Sequence, residues 1–258
     1  MTLKIDNVSF AYQADHKILD AISLTFEPGK FYVIIGQNGC GKSTLFNLIM
    51  RHLPLSSGLI SINGKDLQQL SFKEQAQRVS VLSQSMPLPE FMTVADMVMQ
   101  GRFCYQGFFS RFSAEDRTIA EQAMQKMQLT ELANKRLSTL SGGQQQRARM
   151  AMLLTQQTDI VLLDEPTTHL DLKHQYMLLD LGRELAQQGK IVVAILHDMT
   201  QAALYADHVI VLAEQKIYAQ GAAQSVITDT MMQHVFHVNT SRVGNEKVGI
   251  HVPTHLIA

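Results

Sequence analysis

Apolar runs of strand length alternate with polar turns over the first third of the chain. The runs occupy residues 3–10, 18–26, 31–35, 58–62 and 79–82. Runs of this length bounded by Gly, Pro and Asn favour β-strands, so we predict five strands. We expect the first three to form an antiparallel lead-in to the segment that follows Ile35. Ser71 is placed to cap a short helix between the last two strands.

Helical periodicity replaces the strand pattern between residues 86 and 157, where we predict a helical insertion. Apolar strand-length runs then return at residues 160–163, 191–196 and 209–213. A helix is predicted at residues 172–188, because Gly189 is a usual C-terminal stop. Strands that alternate with helices imply a mostly parallel sheet covered on both faces. The tail, residues 238–258, predicts only weak strand content.

Composition and charge exclude several classes of protein. With 258 residues, the chain is long enough for one large α/β domain or a core with an inserted subdomain. The formal charge is −1 and no long Lys/Arg block occurs, so we expect no nucleic-acid partner. The apolar runs are too short to span a bilayer, and the N-terminus lacks a signal-peptide pattern, which predicts a cytosolic chain. The two cysteines, Cys40 and Cys104, do not indicate a structural disulfide.

A phosphate-binding loop follows the third apolar run. It consists of Gly36, Gln37, Asn38, Gly39, Cys40, Gly41, Lys42, Ser43 and Thr44. Its glycines let successive N–H groups point inward, and the following helix adds its positive N-terminal end, so we predict that the loop binds the phosphates of a nucleotide. We expect Lys42 to reach the β- and γ-phosphates, Ser43 to ligate Mg²⁺, and Thr44 to lie near the α-phosphate.

Two carboxylates end the apolar run at residues 160–163. Asp164 and Glu165 are thereby placed at the carboxyl end of a buried strand, where open α/β sheets bind ligands. We predict that Asp164 holds Mg²⁺ and that Glu165 orients and deprotonates the attacking water.

A second glycine-rich segment precedes the helix that we predict at residues 145–157. It contains Ser141, Gly142, Gly143 and Gln144. One nucleotide site needs only one such anion-binding cradle. We therefore predict that this segment binds the γ-phosphate held by a second copy of the chain, which implies a head-to-tail homodimer.

Together, the motifs GQNGCGKST, LSGGQ and IVLLDE and a later histidine resemble the ATP-binding subunit of an ABC transporter. The resemblance covers residues 2 to about 236. It implies an α/β fold with a P-loop (RecA-like) core, an antiparallel β subdomain and an inserted α-helical subdomain. The implied divisions of this single domain are a core with the β subdomain at residues 1–85 and 158–236, a helical subdomain with the signature motif at 86–157, and a C-terminal tail at 237–258.

The resemblance also implies roles for four further residues. Tyr12 matches the aromatic residue that stacks on adenine, and Gln84 matches the Q-loop glutamine that touches Mg²⁺ and the attacking water. His197 matches the switch histidine that holds the γ-phosphate and Glu165, and Asp171 ends the D-loop, which links the two sites of the dimer. Three of them have an alternative without function: Tyr12 as an ordinary strand aromatic, Gln84 as a surface amide and His197 as a buried histidine with satisfied hydrogen bonds.

A chain with one nucleotide domain and no membrane span resembles the importers of this family, which implies a separate integral membrane permease. The segment at residues 167–172 and those around residues 94–102 and 202–207 are similar to the subfamily for iron chelates and vitamin B12. The implied cargo is a ferric siderophore, with haem, cobalamin and molybdate as alternatives. The implied place is the cytoplasmic face of the inner membrane, where a periplasmic or surface binding protein acts only indirectly. A soluble ABC ATPase acting on nucleic acid or ribosomes, and a P-loop kinase, are the rival classes.

Three smaller features complete the sequence-based hypotheses. Phe91 and Met92 belong to a Met- and aromatic-rich stretch that suits a groove for a permease's coupling helix, or the core of a helical subdomain. Cys40 lies near a helix N-terminus, which favours a lowered thiol pKa and reactivity, the alternative being a tolerated small side chain. Two histidine pairs near the C-terminus have a spacing that also occurs in metal sites, though no cysteine or carboxylate lies between them. The pairs are His234 with His237, and His251 with His255.

Overall fold

The computed structural model describes residues 1–13, 16–83, 91–107, 111–168, 170–244 and 249–256. The strands in this part of the chain are β1 (Leu3–Gln13), β2 (His16–Phe26), β3 (Lys30–Ile35), β4 (Ser57–Ile62), β5 (Lys65–Asp66), β6 (Val79–Leu82), β7 (Ile160–Asp164), β8 (Ile191–Ile195), β9 (His208–Ala213), β10 (Lys216–Gly221), β11 (Val238–Gly244) and β12 (Gly249–Leu256). The helices are α1 (Lys42–Ile49), α2 (Phe72–Ala76), α3 (Val94–Gln100), α4 (Ala114–Lys126), α5 (Gly142–Thr155), α6 (Leu172–Gln187), α7 (Met199–Tyr205), α8 (Ala223–Val226) and α9 (Asp229–Phe236).

A six-stranded sheet in the order β10-β9-β3-β8-β7-β6 forms the centre of the fold. Strand β3 pairs in parallel with both β8 and β9, and β7 pairs in parallel with β8 and β6. Only β10 is antiparallel, as the hairpin partner of β9. Because β3, β8 and β7 run the same way and adjoin, the segments that follow them meet at one edge of the sheet.

A second sheet, in the order β2-β1-β4-β5, is antiparallel throughout. The sequence-based expectation that the third apolar run joins this sheet is wrong, because β3 lies in the parallel sheet. All of its residues from Phe31 to Ile35 are buried. Central parallel strands are covered on both faces and therefore read as continuous apolar runs.

Two buried clusters cover the two faces of the parallel sheet. One cluster contains Val33 and Ile35 of β3 and extends into helices α3, α4 and α5. The other contains Tyr32 and Ile34 of the same strand and joins the antiparallel sheet and helix α1. Alternate residues of β3 thus point to opposite cores, as the period of a strand requires. The phosphate-loop strand is in this way fixed from both sides.

Two helices differ from their predicted bounds. Helix α5 begins at Gly142, three residues earlier than predicted, because Ser141 is its N-cap. Gly142, Gly143 and Gln144 therefore form the first helical turn. Helix α6 ends at Gln187, and Gly189 follows with a φ of 88°, a left-handed conformation that glycine adopts readily at helix ends.

The tail is more ordered than its sequence pattern predicted. Strands β11 and β12 pair as an antiparallel hairpin, and β11 follows helix α9 directly after His237. His237 has a φ of 57° and closes α9 in the left-handed conformation.

Among the described residues, no helix has the length and apolar character needed to cross a bilayer.

Candidate active site

The phosphate loop connects β3 to the N-terminus of α1. Gly41, with a φ of 105°, is the N-cap of this helix, so the first N–H groups of α1 face the loop. Lys42 is 5% exposed, and its Nζ donates to the carbonyl oxygens of Gly36 at 2.9 Å and Gln37 at 2.8 Å. The loop therefore curls around the lysine ammonium, as a polyphosphate cradle requires.

Gly36 leaves no room for a side chain. A Cβ atom built there would lie 2.3 Å from the carbonyl oxygen of Leu212 in β9 and 2.7 Å from the Sγ of Cys40, at a φ of 154°. Because a backbone carbonyl cannot move aside as a flexible side chain can, this residue must be glycine for β9 to pack against the loop.

Ser43 and Asp164 bring two hard oxygen donors together where α1 begins and β7 ends. The Ser43 hydroxyl donates to Asp164 Oδ1 at 3.5 Å. Burial, together with the neighbouring charge of Glu165, raises the pKa of Asp164 above its ordinary value. This pair fits Mg²⁺, because Mg²⁺ prefers oxygen ligands such as the Ser43 hydroxyl and the Asp164 carboxylate. The cation would also stabilise the poorly solvated negative charge of Asp164.

Glu165 and His197 form a pair at the edge of the sheet. His197 Nε2 lies 2.7 Å from Glu165 Oε1, joining the residue after β7 to the segment after β8. Glu165 has a φ of 47°, a left-handed conformation that is uncommon for a residue with a side chain and is found at functional sites. His197 thus holds the carboxylate in place, which is the geometry that an oriented general base requires.

Tyr12 adjoins the phosphate loop across a cleft of 270 Å³. Its hydroxyl lies 3.5 Å from the Thr44 Oγ1, the residue is 61% exposed, and its ring packs edge-on against Phe10. The same cleft is lined by Asn38, Gly39, Gly41, Lys42, Ser43 and Glu165. The structure therefore brings the predicted adenine-stacking residue and the phosphate loop together, with a free aromatic face at the opening.

The glycine-rich signature segment borders a different cleft of the same chain. Ser141 and Gln144 form a capping box, in which the Ser141 Oγ accepts from the Gln144 N–H at 3.3 Å and the Gln144 Oε1 accepts from the Ser141 N–H at 2.9 Å. Gly142 lines a second cleft of 170 Å³, together with Ser83 and Glu165. Ser141 retains its hydroxyl proton, so it can donate to an anion at the start of α5.

Asp171 is the N-cap of helix α6. Its Oδ1 accepts from the backbone N–H of His174 at 2.9 Å and lies 2.7 Å from His174 Nδ1, and these bonds lower the pKa of the Asp171 carboxyl. The sequence reasoning missed His174, whose ring lies against Gly143. The available signal was its spacing: a side chain three residues after an N-cap residue lies beside that cap.

The remaining predicted site residues have different outcomes. Gln84 lies outside the described residues. The expectation of a lowered Cys40 pKa is wrong: burial raises the pKa of the thiol, although Lys42 Nζ donates to Sγ at 3.8 Å. Cys40 lines a 500 Å³ cleft with His234 and His237. In the part of the chain that the structure describes, no group of three or more potential ligands has the arrangement of a metal site.

Comparison with known proteins identifies the family. The family model described as ABC transporter matches residues 19–168. The chain belongs to the ABC transporter family. This ABC protein is 41% identical over 222 residues to the ferric enterobactin transport ATP-binding protein FepC of Escherichia coli (strain K12), covering 86% of this chain and 82% of FepC. It is 39% identical over 227 residues to the achromobactin transport ATP-binding protein CbrD of Dickeya dadantii (strain 3937), covering 88% of this chain and 84% of CbrD.

The fold comparison agrees. A solved ABC transporter assigned to the metal-chelate type, in an inward-facing conformation, matches with a TM-score of 0.83 at 27% identity, covering 98% of both chains. The predicted fold class and the prediction of an ATP-binding ABC subunit are therefore confirmed. This ABC protein is an ATPase whose hydrolysis of ATP is coupled to transport.

Proposed function

We propose that this ABC ATPase powers the import of a ferric siderophore through a separate permease. The observation that carries the ATPase part is the shared edge of β3, β7 and β8, which brings Lys42, Ser43, Asp164, Glu165 and His197 together. The relatives that transport ferric enterobactin and achromobactin, each matched over more than four-fifths of its length, support an iron-chelate cargo.

Positioning and charge neutralisation would supply most of the rate, as in other phosphoryl transfers. Lys42 would neutralise charge on the β- and γ-phosphates, and Tyr12 would stack on adenine. Glu165 would accept the proton of the attacking water while His197 keeps its carboxylate oriented. The proton would move from the water to the Glu165 carboxylate as the water oxygen bonds to the γ-phosphorus and the bond from that phosphorus to the β-phosphate oxygen breaks, which releases ADP.

Ser43 and Asp164 would hold Mg²⁺, with Gln84 as a further ligand. When bound, Mg²⁺ neutralises charge on the phosphate oxygens. The pKa of Asp164 is raised because its negative charge is buried and lies beside that of Glu165. A cation bound at this carboxylate would offset both effects and stabilise the ionised form, which supports the assignment.

Two copies would work head to tail, each site completed by Ser141, Gly142, Gly143 and Gln144 of the partner. In the described part of the chain, the Tyr12 cleft is lined by no residue of the signature segment, which borders a second cleft that shares Glu165 with the first, and this supports a site completed by the partner. Asp171 would then lie near the dimer interface. Ser141 and Gly142 are exposed at the start of α5, so the N–H groups of Gly142 and Gly143 and the Ser141 hydroxyl would donate to a γ-phosphate, while the Gln144 N–H is already bonded to Ser141.

The permease would dock on the helical side of the molecule, at the cytoplasmic face of the membrane. Phe91 is 84% exposed and precedes Met92, which is partly buried against the core that contains α3. An exposed aromatic residue beside an adaptable Met suits a partner helix. The binding protein would act only through the permease.

Affinity purification from detergent-solubilised membranes tests the proposal. The tagged chain is expected to recover a polytopic membrane protein in stoichiometric amount, and the complex is expected to hydrolyse ATP. Uptake by cells of a ⁵⁵Fe-labelled siderophore, of labelled haem or of labelled cobalamin then identifies the cargo. Lys42→Ala is the inactive control. Recovery with ribosomes or DNA alone would reject the importer, and uptake of haem or cobalamin alone would reject the siderophore cargo.

A further inference from the structure

We propose that His174 and Gln175, on the first turn of α6, are positioning residues that tie the end of the D-loop, Leu170 and Asp171, to two other parts of the ATPase site. His174 connects it to the signature segment at the start of α5. Gln175 connects it to helix α7, which follows His197. This proposal rests on the proposed dimer, in which the D-loop and the signature segment act across the interface.

His174 lies between the N-cap of α6 and the first turn of α5. Its Nδ1 lies 2.7 Å from Asp171 Oδ1, and its side chain is 23% exposed. A Cβ atom built on Gly143 would lie 2.8 Å from His174 Cε1, 2.9 Å from Nε2 and 3.2 Å from Nδ1. The ring therefore occupies the space that a side chain at position 143 would need. Because the Asp171 carboxylate only accepts, Nδ1 carries the proton in this contact.

Gln175 joins the D-loop to α7 through side-chain amides. Its Nε2 donates to the Leu170 carbonyl at 2.9 Å, and its Oε1 accepts from Gln201 Nε2 at 2.8 Å. Gln201 is 2% exposed, and its backbone N–H donates to Asp198 Oδ1 at 3.2 Å. Since Asp198 follows His197, a short series of hydrogen bonds runs from the switch histidine's segment to the D-loop backbone.

These contacts fix both the backbone and the cap of the D-loop. Leu170 is held through its carbonyl and Asp171 through its carboxylate, from two successive residues of one helix. The helix itself does not need them, because Asp171 also caps the backbone N–H of His174 and buried Leu178 and Leu179 anchor the following turns. Removing either side chain should therefore misplace the D-loop and the signature turn while α6 stays folded.

His174→Ala and Gln175→Ala in the full-length chain test the proposal. We expect each to lower kcat for ATP about tenfold while KM changes less than about twofold, because displacement of a catalytic group by about 1 Å lowers rates steeply while the chain's own nucleotide contacts remain. His174→Asn, which keeps a short donor for Asp171 but removes the ring beside Gly143, should recover kcat only in part, to about threefold below the wild type. Gln187→Ala, an exposed change on the last turn of the same helix, is the matched control.

A mutant cycle with Gly143→Ala tests the contact between the ring and the glycine. In the Glu165→Gln background, the dissociation constant of the ATP-bound dimer is measured for Gly143→Ala, His174→Ala and their combination. Each loss is the factor by which the dissociation constant rises above that of the Glu165→Gln parent. If the ring fills the space beside Gly143, the factor for the combined variant is at least about threefold smaller than the product of the two single factors. Purely multiplicative losses would overturn the contact.

The possible failures are distinguishable. If the wild-type chain hydrolyses ATP and His174→Ala and Gln175→Ala have the same kcat as the wild type, this proposal is overturned and the proposed function is left intact. An equal loss in His174→Asn and His174→Ala, with a lowered melting temperature in both, shows a structural role and also overturns it. A wild-type chain that neither hydrolyses ATP nor dimerises with it removes the proposed function and this proposal together.

Discussion

Arg102 offers a test of how the helical region is held together. The residue is 6% exposed and its guanidinium joins three segments. Nε donates to Asp116 Oδ1 at 2.7 Å, and Nη1 donates to the Thr155 carbonyl at 3.1 Å and to Gln157 Oε1 at 2.9 Å. Arg102→Met keeps the apolar stem and removes every one of these bonds.

The expected loss is about 3 kcal/mol of unfolding free energy. Removing one member of a buried ion pair costs about 3–5 kcal/mol, because the remaining charge is left without its partner. Asp116 still accepts from the Ser113 N–H at 2.9 Å and from its hydroxyl at 2.8 Å, so the lower end of this range applies. For a chain of this size, the melting temperature should fall by about 6–12 °C.

The loss should also depend on pH. The hydrogen bond from Arg102, followed by those from Ser113, holds the pKa of Asp116 below its ordinary value. A carboxyl with a depressed folded-state pKa contributes stability that is present above its unfolded pKa of about 3.9 and disappears as the pH falls through the folded value. The difference in unfolding free energy between the wild type and Arg102→Met is therefore largest at neutral pH and becomes smaller in acid.

Urea unfolding followed by far-UV circular dichroism measures this gap, since the chain has no Trp for fluorescence. Arg117→Met, an exposed change on α4, is the matched control and should stay within about 0.5 kcal/mol of wild type. A gap below about 1 kcal/mol at pH 7, or one that does not narrow below about pH 4, would refute the reasoning.

Three further predictions concern the site. Glu165→Gln should retain ATP binding, lower turnover about 10²–10⁴-fold and trap the closed dimer; near-normal turnover would remove Glu165 as the base. Tyr12→Ala should weaken nucleotide binding by about 1–3 kcal/mol in calorimetry while Tyr12→Phe does not, and equal affinities for the two variants would contradict stacking. Because its pKa is raised, Cys40 in a Cys104→Ser chain should react with maleimide more slowly than free cysteine at pH 7, speed up towards pH 9, and be protected by ATP; faster labelling than free cysteine at pH 7 would contradict the burial argument.

The sequence was sufficient where chemistry and local pattern coincide. The phosphate loop and the carboxylates after β7 each combine a short motif with the strand or helix that positions it, so both could be placed from the sequence. The start of α5 was predicted three residues too late, because Ser141 caps the helix and the glycines after it form its first turn. The sheet that contains β3 could not be predicted in this way, because its parallel partners β8 and β9 lie more than 150 residues away along the chain. The unbroken apolar run of Phe31–Ile35 was the signal that was available.

The contacts between motifs were also beyond the sequence. Nothing in the pattern around His174 shows that its ring lies against Gly143, because that contact depends on how α5 and α6 cross. The strand content of the tail was predicted too low for a related reason. Its strands pair mainly with each other, and Pro253 and several polar residues weaken the alternation that marks a strand.

The hydrogen bonds of Lys42 affect how its variants must be interpreted. Its ammonium is already bonded to the carbonyls of Gly36 and Gln37, so a phosphate that reaches it exchanges one set of partners for another. The net free energy of the lysine–phosphate contact is then a difference between two bonded arrangements. Lys42→Ala also releases the free loop from its internal bonds. The affinity lost in that variant therefore combines the missing phosphate contact with a loosened unliganded loop, and the two are separated only by measuring loop order without nucleotide.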